Sequence, residues 1–253
     1  MSKKVLIVGM HRSGTSAVAG WLHIHGISMG ENLLASHKSN AKGHFEDLEL
    51  IEFHRSVAND LGIHDWKDCQ GNYTWNSEHI DKAKGLIQKR DLSNQQWGWK
   101  DPRLCIYLPN WLNVMDNVTI IVVYRDGTAV ANSLQKREIA NYLSRYNITP
   151  SNRQMKFWQS LLFFRYKKYH NLWKAYNKKI LSDLSSVPDV IYLSQNRLVE
   201  SLKGLYEILS DRGFELKEEN RDFVDVRLFT NVSTPTKKSG IIFRQLEERN
   251  SFI

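Results

Sequence analysis

Cysteine is almost missing from this chain: only Cys69 and Cys105 carry a thiol among 253 residues. Two thiols so far apart frame neither a metal cluster nor a disulfide scaffold, and in a reducing compartment they are expected to stay free. Also missing is any Pro/Gly/Ser-rich linker, so residues 1–253 are expected to form a single domain with a sizeable core. No apolar run approaches the length needed to span a bilayer, which predicts a chain without a transmembrane segment. Met1-Ser2-Lys3-Lys4 leads straight into an apolar stretch with no room for a secretory leader, and the expected location is cytoplasmic. Zinc-ligand spacings and RNA-recognition signatures are absent too. Lys plus Arg (35) exceeds Asp plus Glu (27), a formal charge of +8, but the basic residues are dispersed. The surplus favours anionic ligands without specifying nucleic acid.

What is present is concentrated in Val5-Leu6-Ile7-Val8-Gly9-Met10-His11-Arg12-Ser13-Gly14-Thr15-Ser16. The apolar, largely β-branched start reads as a buried strand, and Ala17 to His25 has helical character. A strand, a glycine loop and a helix together make a phosphate cradle, because successive backbone N–H groups and the positive end of a helix dipole converge on one point. The spacing Gly9-x4-Gly14 followed by two hydroxyl residues nearly matches G-x-x-x-x-G-K-[ST], but Thr15 stands where that motif has its lysine. Arg12 is then the one positive side chain in the loop, which suits a smaller anion than a triphosphate.

Further along, Leu50, Phe53, Val57 and Leu61 recur at helical spacing, predicting a helix from Glu46 that Gly62 stops. Glu46, Asp47 and Glu49 would fill its first turn and complement its dipole. A polar helix is predicted over Ser77 to Arg90. Trp97-Gly98-Trp99-Lys100 reads as a short strand, with Pro102 in the first turn of a helix through about Met115. Val118 to Tyr124 is a continuous apolar run of the kind found in a parallel sheet covered on both faces. It ends in Arg125-Asp126-Gly127, and the helix predicted over Thr128 to Glu138 carries Ser133. From Ser151 a long helix is predicted to run to about Asn177, burying Trp158, Leu161, Leu162, Tyr169, Leu172, Trp173 and Tyr176 on one face, with Lys167, Lys168, Lys174, Lys178 and Lys179 solvated. Val190 to Leu193 reads as a last strand and Arg197 to Arg212 as a helix stopped by Gly213.

The loop from Gly9 to Ser16 resembles the one that binds the 5'-phosphosulfate in sulfotransferases using 3'-phosphoadenosine 5'-phosphosulfate. Arg125 and Ser133 are similar to the arginine and serine that hold the 3'-phosphate in that family, where a guanidinium fork and a hydroxyl share one anion. Lys100-Asp101-Pro102 resembles a segment of the tyrosylprotein sulfotransferases. Gly43-His44-Phe45-Glu46-Asp47 and Trp99-Lys100-Asp101-Pro102-Arg103-Leu104 look more like the compact bacterial-type enzymes. The resemblance covers about Val5 to Arg137.

It implies an α/β fold of the three-layer, P-loop-NTPase-like kind, with a central parallel sheet flanked by helices. It further implies sulfuryl transfer to a hydroxyl or amine of an acceptor, without a metal. His11, Arg12, Ser13, Gly14, Thr15, Ser16, Arg125 and Ser133 would bind the nucleotide. Arg12 and Lys100 would stabilise charge on the transferring group and leaving oxygen, and Glu46 would take the acceptor's proton, with Glu31 and His44 as rivals. His11, His23, His25 and His54 read as structural or exposed rather than catalytic, so His11 enters only by its place in the loop. Lys237-Lys238-Ser239-Gly240 is loosely similar to the basic segment that closes over the cofactor in such enzymes. The basic surplus and scattered tryptophans suggest a carbohydrate acceptor. Two alternatives stand beside this reading. One is a P-loop kinase using ATP and magnesium held by Asp101 or Asp126, and the other is a non-catalytic basic nucleotide- or nucleic-acid-binding protein.

Overall fold

The computed structural model describes residues 2–35, 43–63, 68–69, 71–217 and 240–252. In chain order the elements are β1 (Lys3–Val8), α1 (Thr15–Ile24), α2 (Leu48–Asp60), α3 (Ser77–Ser93), β2 (Gln96–Lys100), α4 (Leu104–Val114) and β3 (Val118–Tyr124). There follow α5 (Gly127–Ser144), α6 (Asn152–Leu161), α7 (Phe163–Asp183), β4 (Ile191–Ser194), α8 (Leu198–Asp211) and α9 (Gly240–Glu247).

The strands form one parallel sheet in the order β2-β1-β3-β4. β1 lies inside it, with Ile7 level with Lys100 of β2 and Val8 level with Val122 of β3. Alternate residues of each strand point to opposite faces. Leu6, Val8, Ile120, Val122 and Tyr124 pack against apolar residues of α2, α3, α4, α5, α7 and α9. Val5, Ile7, Ile121 and Val123 pack against α1 and α8. Helices therefore cover both faces, giving the α/β architecture with a central parallel sheet that the sequence predicts. Each fully buried aliphatic or aromatic side chain contributes roughly 1.5–3 kcal/mol to this core. Trp97, Trp99 and Trp111 form a chain of ring contacts at 4.7 and 5.0 Å, joined by Trp75 at 4.9 Å from Trp111. These tryptophans are core residues and are not available for stacking on a ligand.

Several boundaries differ from the sequence reading. Glu46 and Asp47 precede α2 instead of opening it: Asp47 is extended and its Oδ1 accepts the Glu49 N–H at 2.9 Å, which makes it the N-cap. Pro102 lies in the turn before α4, whose N-cap is Arg103. α5 continues six residues past Glu138, to Ser144.

The long helix expected from Ser151 is two helices, broken at Leu162 (φ −98°, ψ 34°). Gln135 of α5, itself buried, reaches across and donates from Nε2 to the carbonyls of Gln159 and Leu162 at 2.9 and 3.0 Å, satisfying groups freed by the break. The stripe is split accordingly. Tyr169, Leu172, Trp173 and Tyr176 are buried as expected, Leu161 is 60% exposed, and α6 has no buried residue.

Candidate functional site

Parallel strands that enter the sheet in opposite directions from a central one leave a crevice at their carboxyl ends, where ligands of such folds collect. Here that crevice opens between β1 and β3, and three segments singled out in the sequence end beside it: the glycine loop after Val8, Lys100 at the end of β2, and Arg125 just past β3.

The loop is held by close approach of backbone. A Cβ on Gly9 would run into the Val123 carbonyl and come within 2.8 Å of Thr15 Cγ2. The Gly9 N–H is directed at the buried Cys105 Sγ at 3.3 Å, and Ser13 N–H donates to the Met10 carbonyl at 3.2 Å. Arg12 (φ 69°) and Gly14 (φ 99°) both take the left-handed conformation, so the chain curls back on itself before α1. Gly14 is the N-cap of α1 and no side chain caps that terminus, so Thr15 and Ser16, in the first turn, have no intrahelical carbonyl to donate to. Gln195, after β4, packs against Gly14 and is 4% exposed, with its Oε1 unpartnered among the described residues.

Arg12, Arg125 and Ser133 converge. Arg12 Nε donates to Ser133 Oγ at 2.9 Å, and an Arg125 guanidinium N–H reaches the Arg12 carbonyl at 3.4 Å. Arg125 Nε is buried and has no hydrogen-bond partner among the described residues. Although Arg12 is largely exposed, the protein around its head desolvates it and so lowers its basicity; Arg137 and then Arg125 lower it further. Desolvation lowers Arg125 too, with Asp126 opposing. Crowded like charges of this kind are relieved by an anion.

On the other side, Lys100 is 3% exposed and its Nζ donates to Glu46 Oε1 at 2.5 Å and to the His44 carbonyl at 3.1 Å. Glu46 and His11 line one cleft of about 340 Å³ together with Arg55, Asp101, Arg103 and Tyr107. Burial, then the charges of Arg137 and Lys100, push the His11 imidazole down to about 3, so it is neutral at physiological pH. The floor of the cleft is fixed. Asp101 accepts two side-chain hydrogen bonds from Arg103, at 2.9 and 2.7 Å, and faces His54 Nδ1 at 3.4 Å. His54 Nε2 accepts from the Trp111 indole at 3.0 Å, which assigns the remaining proton to Nδ1. Burial alone would raise the Asp101 carboxyl, but His54 and Arg103 outweigh it and hold it well below the usual carboxylate range.

The rivals of Glu46 are placed elsewhere in this network. Glu31 is half exposed and lies 3.5 Å from Arg90, which also pairs with Asp47 at 2.6 Å. His44 meets Lys100 through its backbone carbonyl. The carboxylates considered for magnesium are otherwise engaged: Asp101 by Arg103, and Asp126 as the N-cap of α5, accepting the N–H groups of Thr128 and Ala129 at 2.9 and 3.1 Å. Lys237 and Lys238 lie outside the described residues. Arg137 was not singled out by the sequence reading, and its only sequence signal is position, four residues after Ser133 on the same helical face. Gln195 had none. A cavity of about 580 Å³ at the opposite edge of the sheet is lined by Lys3 and Lys4 together with Asp91, Asp116 and Glu215, and Lys4 pairs with Asp91 at 3.3 Å.

No protein-family model matches the chain, and no curated protein matches it. Among the described residues no helix is long and apolar enough to cross a membrane, and no group of three or more His, Cys, Asp or Glu is placed to hold a metal ion.

Proposed function

We propose that the protein is a sulfotransferase that moves a sulfuryl group from 3'-phosphoadenosine 5'-phosphosulfate to a hydroxyl or amine. The observation that carries this reading is the meeting of Arg12 with Ser133 and of Arg125 with the Arg12 carbonyl, which brings a second guanidinium and a hydroxyl beside the glycine loop. The two phosphate-bearing ends of one nucleotide need such neighbouring sites. The residues fit the group: α1 has an uncapped terminus, Arg125 Nε is buried without a partner among the described residues, and Gly9 and Gly14 let backbone come close. The nucleotide supplies the activated sulfur.

The chain's own residues supply position and charge. Arg12 and the N–H groups of Gly14, Thr15 and Ser16 hold the 5'-phosphate, with hydroxyl donors from Ser13, Thr15 and Ser16. Arg125 and Ser133 hold the 3'-phosphate. Lys100 neutralises charge on the oxygen that leaves as its bond to sulfur breaks. Glu46, within the same cleft as His11, takes the proton released as the acceptor atom bonds to sulfur. His11, kept neutral, orients the acceptor without adding a charge. Transfers through loose transition states depend mostly on such positioning and preorganised charge.

Calorimetry with adenosine 3',5'-bisphosphate, with magnesium-ATP as comparison, tests the reading. Saturable bisphosphate binding that needs no magnesium is expected, followed by label transfer from radiolabelled sulfate donor in an acceptor screen. Binding of magnesium-ATP in place of the bisphosphate would overturn it.

A further inference from the structure

We infer that the groove between α5, α6 and α7 seats the body of the acceptor, and that the acceptor is an amphipathic organic acid with an aromatic or acyl body and one anionic group. This rests on the sulfotransferase reading for the word acceptor, but the groove stands on its own geometry. Its volume is about 590 Å³, within the range that encloses a small organic ligand. Leu134, Leu143, Leu162 and Trp158 give it apolar walls. Arg165 also lines it, but that charge is already answered by Glu138, whose other oxygen accepts from Tyr169 Oη at 2.9 Å.

Arg137 and Arg145 are different. Both line the groove, and neither has a carboxylate within ion-pair distance among the described residues. Eight residues apart, Arg137 within α5 and Arg145 at its C-cap, they are separated by roughly 12 Å along its axis. Arg137 is the inner one, near enough to Arg12 and His11 to depress the basicity of both. Arg145 lies at the outer end, beside the 56% exposed Tyr142. An acceptor lying along the groove presents its nucleophile at the Arg137 end, by the glycine loop, and its anion to Arg145. A carbohydrate would bring many hydroxyls, and in these walls Asn141 is the one neutral amide to meet them. Trp75, Trp97, Trp99 and Trp111 are core residues, and Trp158 is the tryptophan that lines this groove.

The test is calorimetry on the full chain saturated with adenosine 3',5'-bisphosphate, using 6-hydroxy-2-naphthoate and its uncharged analogue 2-naphthol. The naphthoate is expected to bind about tenfold more tightly than 2-naphthol, and Arg145→Ala to remove that advantage, the size expected for one charged hydrogen bond. Bisphosphate affinity is expected to be unchanged in Arg145→Ala, which shows that the variant is folded. Equal affinity for the two naphthalenes, no loss in Arg145→Ala, or no saturable binding overturns the inference. So does binding of a uronate tetrasaccharide, or of phosphatidylglycerol vesicles, in place of the naphthoate. Charge-dependent naphthoate binding by a chain that refuses the bisphosphate would keep the groove as an organic-acid site and remove the sulfotransferase reading instead.

Discussion

Glu46 and Lys100, 54 residues apart in sequence, meet at 2.5 Å at the carboxyl edge of the sheet, with the lysine almost wholly enclosed. A buried ammonium needs its counter-charge, which Glu46 supplies, and under the proposed function the same contact would hold the carboxylate in place as general base.

Glu46→Gln therefore has two separable effects. Turnover is expected to fall about a hundredfold or more while bisphosphate affinity stays within about twofold, because under the proposed function the lost group would act on the acceptor and not on the nucleotide. Stability is expected to drop by about 3 kcal/mol, because Lys100 is left without a counter-charge. Steady-state kinetics, calorimetry and urea denaturation read the three quantities, and undiminished turnover would remove Glu46 from its role.

Arg125→Ala and Ser133→Ala are expected to weaken the bisphosphate by about a hundredfold and tenfold respectively, since one removes a charged fork and the other a single hydroxyl. The same titration with adenosine 5'-phosphate should show little change, because that ligand lacks the group the two residues would hold. Equal losses for both ligands would mean that the variants damage the loop as a whole.

His11 gives a pH dependence. Its imidazole is held down to about 3 in the folded chain against an ordinary 6.5, so between those values the unfolded chain binds a proton that the folded chain refuses. Stability is consequently lost as pH falls from about 7 towards 3 and regained as it rises. Urea midpoints at pH 4.5 and 7 should differ less in His11→Gln than in the unaltered protein; identical differences would show that His11 is not the group responsible.

Two glycines should answer alanine in opposite ways. In Gly9→Ala the new methyl meets the Val123 carbonyl, which is backbone and cannot swing aside, so a large loss of melting temperature and of bisphosphate binding is expected. In Gly85→Ala, inside α3, nothing lies within 4 Å of the added carbon, and a gain of about 0.5–1 kcal/mol is expected. Thermal melts of the two variants check both directions.

The parts legible from sequence were those set by neighbours along the chain. β3 occupies Val118–Tyr124, the bounds read from its apolar run, and the glycine loop lies between a strand and a helix because each piece carries its own signal. The break at Leu162 carried none, since apolar residues continue across it at helical spacing and the amide that stabilises it comes from Gln135, on another helix. Asp47 could have been read as a cap from its place before Leu48-Glu49-Leu50, but its second role, accepting from Arg90, depends on α3 packing alongside α2. Glu46 and Lys100 were both chosen by motif similarity, while their contact depends on how the segment before α2 lies over the end of β2, which no local pattern contains. Arg137 escaped for the same reason.

The order of the strands sets a timetable for synthesis. β1 is made first, yet Lys3 has its β2 partner at Gln96, and β1's other flank waits for Val118 onward. Until those later segments leave the ribosome, the opening residues have no sheet to join and the glycine turn is an uncommitted length of peptide. A nascent chain stopped short of β3 can thus carry the whole glycine-loop sequence without the strands that give the loop its shape.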